Sequence, residues 1–144
     1  MNKRLTAAQL ILVITILVAS QSLAAKEKGY PAIPLLSTET TIVGESIAYP
    51  TTGQAKVTAA IVTLAPGEKT ILHKHGVPLF AYILDGELSV DYGNDGIRIY
   101  KQGDAFMEAM SVSHFGENNT SQPVRILAVY MGAEGSENVI KMTQ

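Results

Sequence analysis

The chain of 144 residues contains no cysteine, so it has neither a disulfide nor the lipid-modified cysteine of a lipoprotein. Positive charge is also scarce, because 11 Lys and Arg side chains face 13 Asp and Glu side chains. No basic stripe is available to meet phosphates, and we expect no nucleic-acid partner. After residue 25 no stretch has helical periodicity long enough to predict a long helix.

The first 24 residues have the pattern of a signal peptide. Lys3 and Arg4 form a short positive region, residues 10–19 are apolar except for one threonine, and Ser22-Leu23-Ala24 has the small residues that a signal peptidase accepts at its cleavage site. We expect export to the periplasm or medium, with the mature chain starting at Ala25. An uncleaved membrane anchor is the alternative, although a span needs about 20 apolar residues. After processing we expect no stable membrane span.

The mature chain has about 120 residues, enough for one domain. Without Lys3 and Arg4 it has 9 basic against 13 acidic side chains, a net charge of −4. Glycine and proline at Gly29, Pro31 and Pro34 predict an irregular arm over residues 25–38. The domain itself is expected over residues 39–144.

Short segments rich in β-branched and aromatic residues fill that domain. They lie at 40–49, 57–64, 80–84, 88–92, 97–100, 105–108 and 124–131. Turn residues separate them, and Asn94-Asp95-Gly96 predicts a hairpin between two of them. Residues 136–142 fit either a short final helix or an edge strand. Many short strands separated by turns indicate an all-β sandwich or barrel.

All three histidines of the chain fall in two short glycine-bounded motifs. His73 and His75 are two residues apart, so on an extended strand both imidazoles point to one side and lie close enough to share a metal ion. The third ligand, His114, must then arrive by folding.

The spacing around these histidines resembles the two motifs of the cupin family, G-x5-H-x-H-x(3,4)-E-x6-G and G-x5-P-x-G-x2-H-x3-N. The first runs from Gly67 to Gly86 and the second from Gly103 to Asn118. The resemblance covers residues 65–131, including a short spacer over residues 87–102. It implies a single small double-stranded β-helix, a jelly-roll barrel, with a metal site.

Two departures from the family pattern concern chemistry and turn stiffness. Leu79 stands where the family has a glutamate ligand, and Ala109 and Ser111 replace a proline and a glycine. Glu108 precedes the Ala109 position, on a strand position that in cupins often faces the barrel interior. We predict that Glu108 lies near the metal as replacement ligand or general base. The alternative is a solvent-facing carboxylate, because a one-residue register shift reverses every side chain.

The resemblance implies one divalent transition metal ion held by His73, His75 and His114. Imidazole suits most late first-row metals, so iron, manganese, nickel, copper and zinc all remain open, as does a barrel that holds no metal. Asn118 is expected to be a hydrogen-bonding support rather than a reactant.

Strand alternation predicts a mostly apolar pocket above this centre. By parity with the family's glutamate position, Leu79, Ala81 and Ile83 should point inward, and Phe106 should share a face with Glu108. Such a pocket favours a small organic ligand that binds the metal through oxygen.

Two functions fit these expectations. The first is a metal-dependent enzyme of dioxygenase, isomerase or lyase type in which Glu108 is the catalytic residue and moves a proton. The second is a non-catalytic module that binds a small ligand or metal. Because open strand edges associate, we also expect a homodimer.

Overall fold

The computed structural model describes residues 29–143. All the strands of the described residues belong to one compact unit, which begins at residue 34. The predicted signal peptide lies outside the described residues, as do residues 25–28 of the predicted arm, and residues 29–37 form no helix or strand. Within residues 29–143, no helix has the length and apolar character needed to cross a bilayer.

The regular structure is almost entirely β. The strands are β1 (Ala55–Leu64), β2 (His73–Lys74), β3 (Leu79–Asp85), β4 (Glu87–Asp91), β5 (Ile97–Lys101), β6 (Ala105–Met107), β7 (Phe115–Glu117), β8 (Val124–Ala133) and β9 (Ile140–Lys141). Six of the seven predicted strands are confirmed, with each end within two residues of its predicted position. A single 3₁₀ turn, Gly93–Asp95, closes the predicted hairpin between β4 and β5.

The predicted strand over residues 40–49 is wrong, because its threonine and isoleucine content is outweighed by a local turn. Thr41 N–H donates to the carbonyl of Glu45, and Gly44 N–H donates back to the carbonyl of Thr41. Gly44 has φ +86°, a conformation that continues no strand and that glycine adopts without strain. Of the two alternatives for residues 136–142, the structure has the edge strand, β9, which pairs with β2.

Two sheets enclose one core. The larger has the order β1-β8-β3-β6 and the smaller β5-β4-β7, all antiparallel. Alternate residues of both sheets form one buried cluster, and the rings of Tyr100 and Phe106 stack across it at 3.7 Å. This is the predicted small double-sheet jelly-roll barrel, with the histidines among the buried polar residues.

The structure explains why the first motif ends in a glycine, Gly86. Gly86 has φ +78°, and a Cβ there would lie 2.6 Å from the carbonyl oxygen of Pro123. Only glycine therefore allows the turn between β3 and β4 to pass so close to the start of β8. The turn sets the positions of β3 and β4, two of the strands that line the pocket.

Candidate metal centre and pocket

Main-chain pairing joins the two histidine motifs. His73, in β2, donates its N–H to the carbonyl of His114 at 3.0 Å, and His114, just before β7, donates to the carbonyl of His73 at 2.9 Å. His75 lies two residues after His73, on the same side of the chain, and all three residues are buried. This isolated antiparallel bridge is therefore what brings His114 beside His73, which the sequence alone could not show.

The three imidazoles form one compact cluster. Their ring centroids are 4.6 to 5.1 Å apart, and one nitrogen from each ring lies within 4.8 Å of the others. Each Nδ1 lies within 2.9 Å of a backbone carbonyl, those of Ile71, Asn138 and Val112. A carbonyl only accepts, so each Nδ1 carries the proton and each Nε2 keeps a free lone pair.

The donor set fits a divalent metal. Nε2 of His114 is buried and has no hydrogen-bond partner, which is costly for a polar atom unless a ligand satisfies it. Burial lowers the pKa of all three imidazoles, and that of His75 falls to about 4, while the hydrogen bonds at Nδ1 oppose the shift only in part. The rings are therefore neutral at pH 7, as metal binding requires.

Glu108 faces the cluster and not the solvent. Its side chain is almost fully buried, and Oε2 lies 3.9 Å from Nε2 of His114. Oε1 accepts hydrogen bonds from the hydroxyl of Tyr92 at 2.7 Å and from the N–H of Ala109 at 2.8 Å. The carboxyl is thus held by one oxygen, and its other oxygen points towards the imidazoles.

Burial raises the pKa of Glu108 to about 7, although the hydrogen bonds from Tyr92 and Ala109 act in the opposite direction. The pKa of His114 is lowered by its own burial. Both shifts favour uncharged groups, so the 3.9 Å contact is not a strong ion pair. Because Oε1 already accepts two hydrogen bonds, the proton of the neutral acid belongs on Oε2.

A cavity of about 100 Å³ opens onto this cluster. The predicted pocket residues Leu79, Ala81 and Phe106 line it, with Glu108 at the same wall. Ile83 also points inward and is fully buried, but it packs in the core beyond the cavity and does not line it. Most of the lining is apolar, as strand alternation predicted.

Asn118 supports the loops, and its side-chain hydrogen bonds go to other groups than the imidazoles. Its side-chain amide donates to the carbonyls of Leu64 and Gln122, and its Oδ1 accepts from the N–H and hydroxyl of Thr120. The residue is fully buried. These bonds tie the segment after β7 to the end of β1 and the start of β8.

Three tyrosines at the site were missed by the sequence analysis. Tyr92 bonds to Glu108, the hydroxyl of Tyr100 lies 3.0 Å from that of Tyr92, and Tyr130 lines the cavity with its ring 5.8 Å from that of His75. Strand parity could have found Tyr92, because Leu88 and Val90 point inward four and two residues before it. No sequence signal reveals that its hydroxyl meets a carboxylate.

Comparisons with known proteins agree with this fold. The sequence profile of the Cupin domain matches residues 60–130. No curated protein sequence matches the chain significantly. The polyketide cyclase RemF from Streptomyces resistomycificus superposes with a TM-score of 0.54 at 18% identity, over 69% of this chain and 68% of that one.

Two oxalate decarboxylases are also similar in structure. That of Lactobacillus farciminis, in a formate complex, has a TM-score of 0.53 at 22% identity over 62% of this chain and 27% of its own. That of Bacillus subtilis, which has Mn(II) centres, has a TM-score of 0.50 at 22% identity over 60% and 24%. This chain thus spans about a quarter of their length, and at such identities the likeness shows the fold alone. With the profile match, the barrel and both histidine motifs, the chain belongs to the cupin superfamily, and its three-histidine cluster supports a divalent metal site.

Proposed function

We propose that the protein is an exported, metal-dependent enzyme that acts on a small organic substrate bound through oxygen. Dioxygenase, isomerase and lyase chemistry all fit this description. The observation that carries the proposal is the position of Glu108, whose free Oε2 shares a small cavity with three metal-binding nitrogens. An acid in this position would be within reach of a substrate bound at the metal and could transfer a proton to or from it.

His73, His75 and His114 would hold the metal through Nε2. Iron, manganese, nickel, copper and zinc all suit three imidazoles, with or without one carboxylate. When bound, such an ion polarises a substrate oxygen and stabilises negative charge that develops on it. The backbone carbonyls at each Nδ1 fix the three rings in the orientation that this binding needs.

Glu108 would move a proton between Oε2 and the substrate. A pKa of about 7 suits this role, because the group can both give and take a proton near neutral pH. The alternative role, replacement ligand for the carboxylate missing at Leu79, uses the same oxygen. In both roles Tyr92 and the N–H of Ala109 keep Oε1 occupied.

The cavity limits the substrate. An apolar cavity of about 150 Å³ accommodates benzene, so a space of about 100 Å³ accepts a buried group of roughly four to six heavy atoms. Tyr130 lines the cavity, and its hydroxyl would be the donor to a second substrate oxygen. Small carboxylates and 2-oxo acids match this combination of size and polarity.

Metal-loaded full-length protein can be assayed with a panel of small carboxylates, 2-oxo acids and phenols, with oxygen consumption and product formation followed by electrode and NMR. We expect turnover of at least one compound, loss of that turnover in Glu108→Gln, and normal turnover in Glu39→Gln, whose side chain is exposed. If Glu108→Gln turns over as the wild type does, the role assigned to Glu108 is wrong.

A non-catalytic binding module is the second candidate, and Leu79 favours it. Without the family's glutamate the metal would have fewer protein ligands, which suits reversible uptake of a metal or small anion. The same panel separates the two functions. Saturable ligand binding without any product, under oxygen and with each of the five metals, supports the module and overturns the enzyme.

Export is proposed from the positive, apolar and small-residue segments of residues 1–24. The full coding sequence expressed in a bacterial host should give a periplasmic or secreted protein whose intact mass corresponds to a chain starting at Ala25. Recovery of the uncleaved chain in the membrane fraction would support the anchor instead.

A homodimer is proposed through the open edge of β1. This strand has ten residues, pairs on one side with β8, and has no strand on its other side within residues 29–143. Val57 and Ile61 are 67% and 49% exposed on it, and long apolar edges associate. Antiparallel pairing of two β1 strands about a two-fold axis would bury both edges.

Light scattering should give a dimer for the wild type and a monomer for Ile61→Lys. The matched control is Ile99→Lys on β5, at the edge of the smaller sheet, where the side chain is 59% exposed. A monomeric wild type, or a dimer that survives Ile61→Lys and dissociates in Ile99→Lys, contradicts the β1 interface.

A further inference from the structure

Two tyrosines form a hydrogen-bonded chain that ends on Glu108. The hydroxyl of Tyr92 donates to Oε1 of Glu108 at 2.7 Å, and the hydroxyl of Tyr100 lies 3.0 Å from that of Tyr92. Tyr92 and Tyr100 are 1% and 6% exposed, so both hydroxyls are removed from solvent. The three residues come from β4, β5 and β6 or the positions directly after them.

The direction of the chain follows from the number of protons. A phenol has one hydroxyl proton, and that of Tyr92 is directed to Glu108. The oxygen of Tyr92 therefore accepts the hydroxyl proton of Tyr100. Each donation strengthens the next, because a phenol that accepts a hydrogen bond becomes a better donor.

Packing fixes both rings. Tyr100 stacks on Phe106, a wall of the cavity, at 3.7 Å and an angle of 11°. The guanidinium of Arg98 lies 6.0 Å from the centre of the Tyr92 ring, at the outer limit of a cation–π contact. Because neither phenol ring can move with the Glu108 carboxyl if it rotates, the two hydrogen bonds hold that carboxyl in one orientation.

We propose that Tyr92 and Tyr100 are positioning residues that lock Oε1 of Glu108 and keep Oε2 free and directed at the histidine cluster. This inference rests on the proposed function, in which Oε2 acts on the metal or the substrate. The simpler alternative is that the phenols only satisfy a buried carboxyl, with no effect on what Oε2 does.

The first test is infrared spectroscopy of the metal-free, full-length protein below pH 6. The carbonyl stretch of the Glu108 acid is the band that disappears in Glu108→Gln. We expect this band to shift to higher wavenumber in Tyr92→Phe, and to shift less in Tyr100→Phe, because the hydrogen bond at Oε1 is lost in the first variant and weakened in the second. Tyr82→Phe is the matched control, since its side chain is on the outer face of β3, and should leave the band unchanged. An unmoved band in Tyr92→Phe overturns the inference.

The second test is a double-mutant cycle on metal affinity, measured by Co(II) titration with the visible spectrum as readout. Tyr92→Phe should raise the dissociation constant about 10-fold, a change of about 1.4 kcal/mol, because the hydrogen bond from the phenol to the charged carboxylate is lost. In the Glu108→Gln background, Tyr92→Phe should have almost no effect. Equal effects in both backgrounds overturn the positioning role.

The two proposals fail in different ways. If no substrate is turned over but the cycle shows coupling, the positioning role stands and the enzyme is contradicted. If a substrate is turned over but neither the band nor the affinity responds to Tyr92→Phe, the positioning role is wrong. Where Tyr92→Phe does not fold, as its circular dichroism melt would reveal, Tyr100→Phe decides through the same two measurements.

Discussion

The backbone N–H of Glu108 donates a 2.9 Å hydrogen bond to the carbonyl of Leu79. The bond continues the antiparallel register of β3 and β6 by one step, so these two residues lie opposite each other. Leu79 occupies the position of the family's carboxylate ligand, and the carboxyl group that faces the histidines here, that of Glu108, directly follows the neighbouring strand β6. Tyr130 lies opposite Leu79 on its other side, in β8. One row across the sheet therefore contains a phenol, a leucine and an acid, all lining the cavity.

This relationship predicts the effect of restoring the family's residue. Leu79→Glu would place a second carboxylate beside Glu108, since side chains opposite each other on antiparallel strands have Cβ atoms about 5 Å apart. The Leu79→Glu variant should bind its metal ion at least about 10-fold more tightly than the wild type, because a further negative ligand becomes available. The metal-free variant should melt at a lower temperature than the wild type, since two buried acids repel each other when ionised. Calorimetric metal titration and thermal melts measure both effects, and unchanged affinity would place Leu79 away from the metal.

The stability of the metal-free protein should depend on Glu108 in a defined pH window. Its folded pKa of about 7 lies above the ordinary value of 4.5, so between these values the folded state holds a proton that the unfolded state has released. The stability contributed by that proton is present below about pH 4.5 and is lost as pH rises through 7. Glu108→Gln has no carboxyl to ionise, so its stability does not fall in this way as the pH rises. At pH 8.5 this variant should be more stable than the wild type by about 3 kcal/mol.

Urea melts of both metal-free proteins at pH 4.5 and 8.5 provide the comparison. The difference between the two proteins should be small at pH 4.5, because Glu108 is then neutral in the wild type. The exposed Glu39→Gln substitution is the control and should show no such dependence. A variant that is less stable than the wild type at pH 8.5 would contradict the burial of an ionisable carboxyl at this position.

Metal binding should release about one proton at pH 6, and that proton should come from Glu108. The sequence alone predicts that occupancy falls below pH 6.5, the reference pKa of imidazole. Burial lowers the pKa of the three histidines, to about 4 for His75, and raises that of Glu108 to about 7, so Glu108 is the group expected to hold most of its proton at pH 6. Calorimetry in buffers of different ionisation enthalpy counts the protons. Release that persists in Glu108→Gln would mean that the imidazoles are protonated.

Filling the cavity should separate ligand binding from metal binding. Ala81→Leu adds side-chain volume to the wall of a space of only about 100 Å³ and leaves all three histidines in the sequence. We expect the Co(II) affinity to stay within about threefold of the wild type and the spectral change on adding acetate to disappear, with an overpacking cost of about 1–3 kcal/mol. Ala59→Leu, on the exposed edge strand β1, is the control. Normal acetate binding by Ala81→Leu would move the ligand site elsewhere.

The sequence predicted the strands well because their signals are local. Alternating side chains and turn residues such as Asn94-Asp95-Gly96 act within a few residues, and β4 and β5 formed where they were expected. The error over residues 40–49 has a physical cause, since the hydrogen bonds around Thr41 and Glu45 compete with strand pairing and composition does not record them.

The sequence predicted only those parts of the site that follow from motif spacing or from the alternation of side chains along a strand. The spacing of His73, His75 and His114 identified the cluster, and parity placed Leu79, Ala81 and Phe106 at the cavity. Parity also placed Ile83 inward but could not show that the cavity ends before it. The contact between Tyr92 and Glu108 depends on how the two sheets approach each other, which no local pattern encodes.

The most direct test of the metal centre is calorimetric titration of the EDTA-treated full-length protein with Mn(II), Co(II) and Zn(II) at pH 7.5, with the wild type beside His73→Ala, His75→Ala and His114→Ala. We predict one ion per chain for the wild type and a dissociation constant at least about 10-fold higher in each variant. Absence of stoichiometric binding by the wild type with any of these metals, or undiminished binding by the three variants, would contradict a metal centre at these histidines.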